Sequence, residues 1–224
     1  MTPVDAANAI RSARLTALDL ADTAELLFML KRFHHSTALS ILAVEEASKL
    51  ALLFMIFLEL DDGARRKLWK SFRNHRAKTA WLNPAFESRI RGAFPKISRE
   101  EAKKISQVGP SPDDLEITKQ RAFYSECYGR SDCFMSHCPS IAEWRDLAWD
   151  RMWEAKALAT GMRDHTPQEL EVWREHFTAA SKAGDGIAAV MPRLHDVLLE
   201  KKLIQEGWWK TLLEDLAFET EPSG

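Results

Sequence analysis

The chain has 224 residues, a net charge of −2, and 29% charged against 46% hydrophobic residues, the composition of one fairly large globular domain or of a domain with a helical appendage. Three Cys exclude a disulfide framework and, with no signal peptide at the start, point to a reducing cytosol. Between Gly63 and Lys104 stand 13 Lys/Arg and three Asp/Glu, a local balance of +10, so the rest of the chain carries −12. Such a basic block fits a phosphate-bearing partner, or else it pairs with the acidic remainder of the fold or with a second subunit.

Gly and Pro are few, nine of each, and β-branched runs are absent from long stretches, so the chain reads as almost entirely α-helical. Thr2-Pro3-Val4-Asp5 supplies a cap, a proline at the first helical position and an early carboxylate. The helix it opens should run to about Lys31 with Ala9, Ala13, Leu20, Ala24, Leu27 and Leu30 inward. A bend over Lys31 to His35 leads into Ser36–Leu60, an apolar helix interrupted by Glu45, Glu46 and Lys49. Apolar side chains point all round this helix, so it should be buried on most sides. The 11 residues after Lys49 are too few to cross a membrane, which takes about 20.

A third helix is expected over Ala64 to Leu82, with Leu68, Phe72, His75, Thr79 and Leu82 on one stripe and Arg65, Arg66, Arg73 and Arg76 free to face solvent. Ser98 opens a short capped helix, and Ser111-Pro112-Asp113-Asp114 starts another through about Tyr128, with Ile117, Arg121, Tyr124 and Tyr128 on one face. The segment from Gly129 to Pro139 is turn-rich. Ser140 and Glu143 form a capping box for a helix to about Thr160, whose inward face is Ile141, Trp144, Ala148, Met152, Ala155 and Ala159. Thr166-Pro167 opens the next helix, Gly184-Asp185-Gly186 separates it from one to about Lys202, and a Trp208-Trp209 amphipathic piece follows. Eight Trp, seven of them beyond residue 80, imply a well-packed C-terminal half or an apolar face for self-association.

No phosphate loop, nucleophile elbow or HExxH motif is present. Cys127, Cys133, His137 and Cys138 have the wrong spacing for a tetrahedral zinc site, so no metal or cofactor is expected. Glu46 and Lys49 fall on the stripe His35, Leu42, Glu46, Lys49, Leu53 of the central helix. They either satisfy each other at i,i+3 or join groups from a neighbouring helix in a site. Metal-independent RNA cleavage needs a base for the 2′-hydroxyl, a cation for the phosphorane and an acid for the leaving oxygen. His75, Lys78, Lys49 and Arg121 could supply these if the second, third and post-loop helices pack together, with Glu46 orienting a cation or the imidazole and with Arg73, Arg76, Arg121 and Tyr124 as RNA contacts.

The pattern Glu45-Glu46-x-x-Lys49 in an apolar helix, then Phe72-x-x-His75-x-x-Lys78, then Arg121-Ala-Phe-Tyr124, resembles the AbiV abortive-infection proteins of the HEPN superfamily, over roughly residues 6 to 160. The resemblance implies an all-α, HEPN-like antiparallel bundle over 1–160, with 161–224 as a C-terminal helical extension packed on the same domain. It also implies a cytoplasmic phage-defence protein, homodimeric, acting on RNA or a ribosome-associated target, with a phage-encoded protein as a potential activator and no membrane association. Many HEPN domains are metal-independent RNases whose active site lies at the dimer cleft. Their signature is Arg, four to six residues, then His, and here only Arg130 and His137 match it, inside the turn-rich segment. That pair is therefore the alternative to the Glu46, Lys49, His75, Lys78 set. The competing reading is a non-enzymatic helical module that binds a phage or host protein.

Overall fold

A computed structural model describes residues 1–74, 112–123, 139–161, 163–185 and 187–205. Among these there are seven helices and no strand: α1 (Pro3–Met29), α2 (Phe33–Leu58), α3 (Asp62–Arg73), α4 (Pro112–Phe123), α5 (Ile141–Gly161), α6 (Pro167–Ala183) and α7 (Ile187–Glu200). The all-α expectation holds. The short helix expected from Ser98, the turn-rich segment from Gly129 and the Trp208-Trp209 piece lie outside the described residues.

The local signals act where the sequence puts them. Thr2 Oγ1 accepts from the Asp5 N–H at 3.1 Å while the Asp5 carboxylate takes the Thr2 N–H at 3.1 Å, a reciprocal box that leaves fewer orphan donors at the start of α1. Ser140 and Glu143 repeat it ahead of α5. The turn between α1 and α2 closes with the Lys31 N–H on the Phe28 carbonyl and the Arg32 N–H on the Leu27 carbonyl, which puts Lys31 in the left-handed region at φ 58°.

α2 is the central element. It packs against α1, α3, α4, α5 and α6, and sixteen of its 26 residues are buried. Its small and hydroxylated residues permit this crowding. Ala17, Ala21, Ala43, Ala47, Ala155 and Ala159 let α1, α2 and α5 approach closely. The buried hydroxyls find carbonyls on neighbouring helices: Ser36 on Ala24 at 2.7 Å, Thr37 on Trp144 at 3.1 Å and Ser40 on Ala148 at 3.4 Å. A second core joins Ala6, Phe57, Leu58, Leu170, Trp173, Leu194 and Leu198, so α6 and α7 bury their apolar faces against α1 and α2.

Four expectations need correction. Leu30 is 70% exposed and Ile141 76% exposed, because each stands at a helix end past the last turn that meets a neighbour. α3 stops at Arg73 rather than running to Leu82, with Asn74 extended at φ −102°, ψ 118°. Arg65 does not face solvent freely: its Nε donates to the Glu59 carbonyl at 3.0 Å and its Nη1 to Asp62 at 2.8 Å, so it caps the C-terminus of α2. The expected Ile117–Arg121 face of α4 is not among them: the buried face of that helix is Leu115, Lys119 and Ala122, and Ile117 is 47% exposed.

Candidate functional site

On α2 the i,i+3 spacing brings Lys49 Nζ to 2.5 Å from Glu46 Oε1, with about a fifth to a quarter of each side chain exposed. The ammonium also lies 5.7 Å from the centroid of Phe72, which α3 presses onto Ile10, Leu50 and Leu53. Glu46 and Lys49 thus sit at the edge of α2 under α3, about three-quarters covered and paired with each other.

The buried charge of α2 is its neighbour. Glu45 accepts a hydrogen bond from Lys119 Nζ of α4 at 2.6 Å, and the two side chains are 5% and 6% exposed. Lys119 also reaches Glu116 Oε2 at 2.6 Å. Burial works against the Lys119 charge, but the hydrogen bonds it donates to Glu116 and Glu45 and their negative charge outweigh it, holding its pKa above the ordinary lysine value. Two sequence signals could have found this pair. Ile41, Glu45, Ser48 and Leu52 follow one buried stripe of α2, and Lys119 stands between Leu115 and Ala122 on the buried face of α4.

α3 adds a basic outer face. Five of its twelve residues are Lys or Arg against one Asp, none of the twelve is buried, and Arg66, Lys67, Lys70 and Arg73 are all exposed. Arg73 is exposed at the end of this helix, with its Nε on the Trp69 carbonyl at 3.4 Å. Arg121, half-buried on α4, belongs to a helix that packs on α2 along the Glu45 side. His75, Arg76, Lys78, Tyr124, Arg130 and His137 lie outside the described residues, as does the cysteine cluster.

A family model described as AbiV matches residues 5–158, more than half of the chain. The chain belongs to the AbiV family. This places it in the HEPN superfamily and among abortive-infection, phage-defence proteins. No curated protein and no solved structure matches it. The AbiV match spans α1 to α4 and nearly all of α5, and so contains Glu46, Lys49, the Glu45–Lys119 pair and the basic face of α3.

Beyond the AbiV match the fold holds a polar cluster that sequence reasoning missed. Glu169, fully buried, accepts from Arg163 Nη2 at 2.5 Å and from His165 Nδ1 at 2.8 Å, and Phe54 of α2 stacks on the His165 ring at a centroid distance of 5.4 Å. Glu169 occupies the position where a capping box would turn its carboxylate back to the N–H of Thr166. Its N–H still donates to Thr166 Oγ1 at 3.1 Å, but the carboxylate turns inward. The tight spacing of Arg163, His165 and Glu169 was the only signal. A second missed pair, Arg151 with Glu154, lies largely buried on α5, where burial raises the Glu154 pKa against the pull of Arg151. Among the described residues no group of His, Cys, Asp and Glu could hold a metal, and no helix is long and apolar enough to cross a membrane.

Proposed function

We propose that this AbiV protein acts in abortive infection by engaging RNA or the translation machinery, through the basic face of α3 and the Glu46–Lys49 edge beneath it. The observation that carries this reading is the set of four exposed cations on α3, Arg66, Lys67, Lys70 and Arg73, anchored by Phe72 beside Lys49. A row of exposed Lys and Arg on a rigid helix binds phosphate backbones without needing base contacts.

The reaction in this proposal is metal-independent cleavage. His75 takes the 2′-hydroxyl proton and returns a proton to the 5′-oxygen, Lys49 and Lys78 face the phosphorane, and Glu46 orients the cation. Arg73, Arg76, Arg121 and Tyr124 line the RNA path, and Arg130 with His137 is the alternative acid/base pair. The protein works as a cytoplasmic homodimer, with a phage-encoded protein as its trigger.

A second reading has its own observation. Glu46 and Lys49 close on each other, and Lys119 closes on Glu45 and Glu116, so these charges serve equally to hold a non-enzymatic helical module together. Incubating total RNA with the wild type, His75→Ala and His137→Ala separates the two. Cleavage lost in one variant identifies the acid/base residue. No cleavage by the wild type, with or without phage extract, rules out the enzyme.

A further inference from the structure

α3 sets one indole among its cations. None of its twelve residues is buried, and Trp69 stays partly exposed about two turns into the helix. Its ring makes a T-shaped contact with Phe72, centroids 5.3 Å apart and planes at 81°, and Phe72 in turn packs against Ile10, Leu50 and Leu53 of α1 and α2. At about 100° per residue, Phe72 and Arg65 lie beside Trp69 on the bundle side of α3. Arg66 and Arg73, three residues before it and four after, flank it on the solvent side. The ring is thus braced on one side and bordered by two exposed guanidinium groups on the other.

The charges around the ring indicate what it meets. The carboxylates of α3 and its approach lie at or before the first turn: Asp62 holds Arg65 at 2.8 Å, Asp61 caps the Ala64 N–H at 2.6 Å, and Glu59 takes the Asp61 N–H at 2.9 Å. On α2, Glu46 holds Lys49. Arg66 and Arg73 instead bond backbone carbonyls, of Asp62 at 3.2 Å and of Trp69 at 3.4 Å, and among the described residues neither they nor Lys67 and Lys70 pair with a carboxylate. An apolar partner reaching the indole would have to desolvate these cations without neutralising them. An acidic peptide answers the cations alone. A single nucleic-acid strand answers both, since its phosphates neutralise Arg and Lys while any unpaired base offers a face to an aromatic ring. A duplex keeps its base faces stacked inside and offers α3 only phosphates and groove edges.

We propose that Trp69 is a base-stacking residue, and that the RNA engaged by α3 is therefore single-stranded. The inference rests on the RNA-directed reading of α3. Its test is fluorescence anisotropy with the full chain and four labelled probes. These are a 2′-O-methyl oligo(U) of about 12 nucleotides, which cannot be cleaved through its 2′-oxygen, an abasic chain of the same length, an RNA duplex of the same length, and oligo-glutamate. The wild type is expected to bind oligo(U) about tenfold more tightly than each of the other three. Trp69→Leu should remove most of that margin while leaving the abasic affinity and the salt dependence unchanged, and Trp69→Phe should keep it. Equal wild-type affinity for oligo(U) and the abasic chain overturns the inference while leaving α3 as a phosphate site. That comparison needs no variant, so it stands if a substitution misfolds the chain. Loss of both probes to the same degree in Trp69→Leu also overturns it, as the mark of a ring that only holds α3 in place. So does duplex or oligo-glutamate bound as tightly as oligo(U). Binding of no nucleic acid at all instead removes the RNA-directed reading itself, and this inference with it.

Discussion

Lys119 neutralises Glu45 inside the bundle, whereas Lys49 neutralises Glu46 at its edge, and the two pairs should respond very differently to truncation. Lys119→Met leaves a buried carboxylate without its ammonium and is expected to cost about 3–5 kcal/mol in urea denaturation. Lys49→Ala breaks a pair whose side chains are 20% and 24% exposed and is expected to cost about 1–2 kcal/mol, between the exposed and the fully buried cases. The pH dependence follows from the direction of the Lys119 shift. Its folded pKa lies above the unfolded 10.5, so its stabilisation is fully present below 10.5 and disappears as pH rises through the raised value. Wild-type stability should therefore fall more steeply than that of Lys119→Met across this alkaline range. At this scale the sequence was ambiguous by one position. Glu45 and Glu46 are adjacent and differ by about 100° around α2, and choosing between them needs the position of α4, which no local pattern supplies.

Helix boundaries were the most legible part of the chain, because caps are local chemistry. Thr2, Ser140 and Thr166 each bond the N–H three residues on, as their spacing indicates. Thr166→Ala is expected to cost about 1 kcal/mol. The C-terminal ends were less legible. Lys31 and Lys202 occupy left-handed positions, φ 58° and 55°, where glycine would signal a stop. Lys31→Gly and Lys202→Gly should each stabilise by about 0.5 kcal/mol, relief of the left-handed strain exceeding the added chain entropy. Gly184 has the same geometry at φ 75° with open space around it, so Gly184→Ala should cost about 1 kcal/mol through backbone strain alone. Thermal or chemical unfolding of the three variants checks both signs. α3 ended earlier than its apolar spacing implied, since an i,i+3 repeat through Phe72 and His75 does not mark a helix end, and Asn74 is extended.

At the scale of the whole molecule, one core spans the AbiV match and the helices beyond it. Leu170 and Leu198 are fully buried against Phe57, Leu58 and Ala6. Leu198→Ala should cost about 2–5 kcal/mol and lower a single cooperative transition rather than split it. The overall bundle was legible because α2 is apolar all round and can only be central. The inward Glu169 was not, because its spacing to Thr166 reads as an ordinary surface cap. The segregation of positive charge was also legible, and α3 turns it into an exposed face beside Lys49.

The most direct measurement is the affinity of the full chain for single-stranded RNA over a range of salt, compared with Lys67→Glu/Lys70→Glu/Arg73→Glu. An RNA-directed role through α3 predicts salt-dependent binding with a log–log slope of about −0.7 per phosphate contacted, weakened at least tenfold and flattened in the triple variant. Wild-type binding that is absent, or unchanged by reversing those three charges, would contradict it.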